Sequence, residues 1–150
     1  MKTQLLFLSF IFFISTSSVN YYSMQPSYEL VVKDTSGGPR SPQILVVKEY
    51  SSLKEFYSKV NQTRRPGLAL PKVDFDKEFI LILCLGTMQT TGHDISITKL
   101  NVSKDELTIF VSEEHPKDLE KMPKVLNEPF SIYKVKGNYT NIQFKKTIID

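Results

Sequence analysis

A single cysteine among 150 residues leaves no partner for an internal disulfide. In an oxidising compartment the fold must then be held by packing and backbone hydrogen bonds. That cysteine, Cys84, lies within the apolar run Phe79-Ile80-Leu81-Ile82-Leu83-Cys84-Leu85, where a small buried hydrophobe is expected and a nucleophile would be out of reach. Histidine is nearly as scarce. His93 and His115 fall in different loops and at no metal-ligand spacing, and no Gly-x-Ser-x-Gly elbow, phosphate loop or dinucleotide fingerprint is present. No catalytic residue, metal ligand or cofactor site is therefore assigned, and the chain is not expected to be an enzyme. Asp74 and Asp76 flank Phe75 at alternate positions, and they are expected as turn and strand-entry residues rather than a general acid and base. The charge excess is small, +3 with Lys2 counted, and the lysines are scattered without an aromatic-interleaved motif. Nucleic acid is excluded as the expected partner.

The apolar run at residues 5–14 is too short for a membrane span. Preceded by Lys2 and followed by Ser15, Thr16, Ser17 and Ser18, it has the three-part layout of a signal peptide over residues 1–18. A lipoprotein signal would need a cysteine directly after the run, and none is there. The expectation is an exported chain, periplasmic or secreted, not a lipoprotein and without stable membrane insertion once mature.

Residues 19–27 read as a flexible leader, and residues 28–150 as a single domain of a size that supports one core. Residues 28–33 and 43–48 are strand-length runs separated by a loop containing Gly37-Gly38-Pro39. One amphipathic helix is expected at residues 52–61. Ser52-Leu53-Lys54-Glu55 has capping-box spacing, and Leu53, Phe56, Tyr57 and Val60 form one apolar stripe. Residues 78–85 suit a central strand buried on both faces. Residues 94–100 and 106–111 alternate as strands about a loop at 101–105. Residues 113–129, charged and proline-containing, should be a long excursion with a short helical turn near 119–122, Glu113 and Glu114 being surface charge. Residues 130–135 and 139–145 are expected as a last hairpin around Gly137-Asn138. The fold class is α+β, mainly β: an antiparallel sheet or small sandwich of about six to seven strands with one helix.

The segment Thr87, Met88, Gln89, Thr90, Thr91, Gly92 and His93 is either a plain connector or a presented binding surface, and is the candidate binding site. It joins the most buried strand to an amphipathic one, so its ends are held while its residues are small and polar. The expected partner is another protein.

The helix entered from a strand, Pro71-Lys72-Val73-Asp74-Phe75-Asp76-Lys77-Glu78, the apolar strand ending in Leu85-Gly86, and Thr90-Thr91-Gly92-His93 together resemble the PrcB C-terminal-like family. The resemblance continues through Leu107-Thr108-Ile109-Phe110-Val111, Pro116 and Pro129-Phe130, covering most of residues 45–136. That family is named for an accessory subunit of a secreted bacterial protease complex. The resemblance implies a non-catalytic role in assembling or stabilising an extracytoplasmic complex, with a secreted protease as partner. The family loop is closer to Thr-Gly-Gly-Tyr; here Thr91 replaces the first glycine and His93 the aromatic. A second resemblance leaves an alternative open. Chagasin-like inhibitors of cysteine proteases present a Thr-Thr-Gly loop between strands, which Thr90-Thr91-Gly92 matches. The Asn-Pro before that loop and the tryptophan after it are missing here.

Overall fold

The structure, a computed structural model, describes residues 26–149. The signal-peptide assignment at 1–18 and most of the leader lie outside the described residues.

Among the described residues seven strands and one helix follow in the order β1 (Tyr28–Asp34), β2 (Gln43–Val47), α1 (Tyr50–Val60), β3 (Glu78–Cys84), β4 (Asp94–Ser103), β5 (Glu106–Glu114), β6 (Phe130–Lys136) and β7 (Asn141–Ile149). A single 3-10 turn at Leu119–Lys121 interrupts the excursion between β5 and β6. Four strands form an antiparallel sheet in the order β1-β6-β3-β2, and three form a second, mixed sheet in the order β4-β5-β7. The mainly β, single-helix class expected from the sequence is what the chain forms.

The alternation of side chains along β3 divides the core. Phe79, Leu81, Leu83 and the following Leu85 face the second sheet and pack with Ile95, Ile97, Leu107, Ile109, Val111, Tyr133 and Val135. Ile80, Ile82 and Cys84 face the other way, onto Leu53, Phe56, Tyr57 and Val60 of the helix and onto Phe130 and Ile132. The chain is thus layered as helix, four-stranded sheet, three-stranded sheet, with β3 contributing to both interfaces. A strand buried on both faces is expected to be continuously apolar, and β3 is. Burial pushes the Cys84 thiol up to about 12, so it remains a neutral core side chain.

Five local expectations are corrected. The helix begins at Tyr50, two residues ahead of Ser52, because the chain turns into α1 almost directly from β2. Glu49 occupies the N-cap position without a side-chain capping bond. The capping box does not form: Ser52 donates to the Glu49 carboxylate at 2.7 Å, and Glu55 pairs with Lys59. The β4–β5 hairpin is longer than expected. Its strands run on to Ser103 and from Glu106, leaving Lys104-Asp105 as the turn with Lys104 at φ 56°. Glu113 is buried rather than surface charge, and pairs with Lys146. Finally, β6 and β7 are not a hairpin. Both edges of β6 are already taken by β1 and β3, so β7 crosses to the other sheet and runs parallel to β5.

Candidate functional site

Residues 87–93 connect β3 in one sheet to β4 in the other, and they start from a position only glycine fits. Gly86 has φ +78°, and a Cβ there would lie 2.8 Å from Pro42 and 2.9 Å from the Arg40 carbonyl. From that point the segment is fastened on both sides. Thr87 donates its amide to the Arg40 carbonyl at 3.0 Å. Met88 and Asn127 exchange both backbone hydrogen bonds, at 2.8 and 3.0 Å, as an isolated antiparallel bridge. Thr91 donates to the Pro123 carbonyl at 3.1 Å. The buried Asn127 side chain donates to the Thr90 and Val125 carbonyls, each at 2.8 Å, tying the loop to the excursion from inside.

The loop, small and polar in sequence, is therefore a braced one. Thr87, Gln89 and Gly92 are exposed, Met88, Thr91 and His93 are half-buried, and Thr90 is buried. Gly92 sits at φ +90° against the excursion, where a Cβ would come within 2.7 Å of the Met122 methyl and 2.9 Å of the Pro116 ring.

The two histidines, expected in separate loops, meet. His93 Nδ1 lies 2.7 Å from His115 Nδ1, with ring centroids 5.0 Å apart, and His93 Nε2 lies 2.9 Å from Thr90 Oγ1. Asp94 pairs with Glu114 across the hairpin, so the residues next outward on each strand face one another. Burial, and then the neighbouring His115, hold the His93 pKa below its ordinary value of 6.5. At that distance one Nδ1 donates and the other accepts.

Loop and excursion enclose a groove of about 400 Å³, lined by Met88, Thr90 and His93 on one side and by Leu119, Glu120 and Lys124 on the other. Leu119, Val125 and Leu126 are large apolar side chains exposed on the excursion. Sequence reasoning named the loop but missed His115, Asn127 and these apolar residues. The signal for the apolar residues was present as Val125-Leu126 in a charged stretch. The signal for His115 lay in the hairpin register. A second cavity, about 560 Å³, lies apart from the loop, between β2, α1 and Gly37-Gly38-Pro39.

The other sequence candidates are structural. The Asp74 carboxylate accepts the Asp76 amide at 3.3 Å and pairs with Lys77 at 2.9 Å, closing the turn into β3. Among the described residues no group of three or more His, Cys, Asp or Glu is placed to hold a metal ion, and no helix is long and apolar enough to cross a membrane.

A braced loop links the sheets of a β sandwich beside a charged excursion that exposes Leu119, Val125 and Leu126. Residues 79–136 match the family model described as PrcB C-terminal. The matched residues run from within β3 through β6 and are similar to that family, and they contain the loop, the excursion and both histidines. No curated protein and no solved structure matches the chain.

Proposed function

We propose that the protein is a non-catalytic, exported module that grips another protein, as an accessory or stabilising subunit of an extracytoplasmic complex whose partner is a protease. The observation that carries this reading is the braced 87–93 loop. Within the family-matched segment, backbone bonds and Asn127 hold it beside a groove lined by Leu119, on an excursion that also exposes Val125 and Leu126. Exposed apolar side chains around a preorganised loop are what a protein interface uses. The chagasin-like alternative has less support, because Thr90, the first residue of its Thr-Thr-Gly element, is buried and bonded to His93 and Asn127.

The test compares the mature chain with Gly92→Val and Leu126→Glu in two assays: capture of a partner from the native secreted fraction, identified by mass spectrometry, and inhibition of a papain-like protease. Gly92→Val forces a β-branched residue into positive φ and off Pro116, shifting the loop at a cost of about 1–3 kcal/mol. Leu126→Glu alters only an exposed side chain. Capture of one protease-associated protein by wild type, lost in both variants with the fold intact, is the expected result. Capture unchanged in both moves the surface elsewhere, and wild-type inhibition of the protease favours the inhibitor reading.

A further inference from the structure

Strand β7 pairs with β5 along its whole length, Asn141 with Glu106 through Ile149 with Glu114, with no break in register. Among the described residues no strand lies on its other side. A nine-residue edge therefore presents unpaired N–H and C=O groups. Edge strands are usually blunted by shortness, proline, a bulge or lysine; β7 is long, proline-free and without a bulge, and carries only the lysines Lys145 and Lys146.

Its side chains also lack cover. Paired residues of a parallel ladder share a face, so Ile142, Phe144, Lys146 and Ile148 stand on the core side beside Leu107, Ile109, Val111 and Glu113, the Lys146 charge being taken up by Glu113. Ile142 packs on the core, whereas Phe144 is 37% and Ile148 59% exposed. The outer face carries Lys145, whose ammonium lies 5.6 Å from the Phe110 ring centre while Lys99 lies 5.8 Å from it. β7 contains two lysines and no acidic residue.

That charge selects the occupant. If a second copy paired antiparallel about the strand's midpoint, Lys145 would stand opposite Lys145, and like charges directly across a ladder are destabilising. A strand carrying carboxylates there is attracted instead. We propose that the free edge of β7 receives an extended segment of a partner protein as a fourth strand, apolar on the core side over Phe144 and Ile148 and acidic on the outer side against Lys145. This is strand addition, in which backbone bonds supply affinity and alternate side chains supply selectivity. The edge lies outside the family-matched residues and does not depend on the loop reading. The two surfaces meet at one end, where His115 donates its amide to the Ile149 carbonyl at 2.9 Å.

The probe is a capped, fluorescein-labelled nine-residue peptide alternating valine and glutamate, with a valine–lysine peptide as control, added to the mature chain and followed by anisotropy and hydrogen exchange. The valine–glutamate peptide is expected to bind and to slow exchange in β7. Lys145→Glu should weaken that binding by roughly tenfold and admit the lysine peptide, whereas Gly92→Val should leave it unchanged. Absence of binding, equal binding of both peptides, or protection confined to β2 would overturn the proposal. So would a dimer in sedimentation that Phe144→Lys dissolves, because it would assign the edge to a second copy.

Discussion

His93 is the side chain through which the solution pH reaches the loop. Its rings and hydroxyl contacts join three segments, Thr90 in the loop, His93 at the start of β4 and His115 beyond β5. The charged groups around it are Asp94, paired with Lys33, then Glu114 opposite Asp94, and Glu120 with Lys124 across the groove. Burial and His115 depress its pKa, so the unfolded chain takes up the proton at a higher pH than the folded one. The contribution to stability is thus complete above 6.5 and is lost as the pH falls through the depressed value. The carboxylates Asp34 and Asp74, both lowered, lose theirs only in more acidic solution. We expect the melting temperature of wild type to drop between about pH 7 and about pH 5.5 by more than that of His93→Gln, which cannot charge. Parallel curves for the two proteins would mean that the pair does not couple to folding.

At the scale of elements, the informative irregularity is in β4. Ile95 and Ile97 alternate inward, but the next apolar residues, Leu100 and Val102, are out of phase with them. The register explains this: Ile97 pairs with Val111 and Lys99 with Phe110, so Thr98 is an extra residue that bulges and restores the phase. Leu100 and Val102 then join Ile95 and Ile97 against the same core. Deleting Thr98 should leave a regular ladder, with Ile97 still opposite Val111, Lys99 opposite Phe110 and Leu100 and Val102 still inward, so it should change stability in chemical denaturation by no more than about 1 kcal/mol, and Thr98→Ala should stay within about 0.5 kcal/mol. A deletion that costs several kcal/mol would show that Thr98 is not the extra residue of the ladder. The same register explains what the sequence revealed and what it did not. Continuous apolarity marked β3 and the i, i+3, i+4, i+7 stripe marked α1, because those periods are local. Pairing partners are not local. The expected β6–β7 hairpin rested on Gly137-Asn138, a local turn signal, and β1 and β3 overrode it by occupying both edges of β6. The loop was legible as a polar link after a buried strand. Its bracing was not, because Asn127 and His115 reach it from residues remote in sequence.

For the molecule as a whole, β3 decides cooperativity. Tyr133 belongs to the core between the sheets and Tyr57 to the core beneath the helix, and the two cores share only the four-stranded sheet, with β3 and β6 facing both. Neither core persists without that sheet, so the layers should melt together: ring signals of Tyr57 and Tyr133 followed by NMR are expected to vanish at one midpoint. Phe56→Ala removes a ring packed edge-on against Phe130 at 6.0 Å and should lower both midpoints equally, by about 3–5 kcal/mol of stability. A helix-side transition separating from the sandwich would instead show two folding units. The position of the charge matters as sharply as the loss of volume. Leu81 is fully buried in the middle of β3, between Val46 and Tyr133 in the ladder, and Leu81→Asp should abolish folding because an unpaired carboxylate there has no hydrogen-bonding partner. Lys104→Asp should be tolerated within about 0.5 kcal/mol. It places aspartate at an exposed turn with φ 56°, a conformation its short side chain adopts readily. Comparable melting temperatures for these two variants would move the core away from β3 and dismantle the three-layer account.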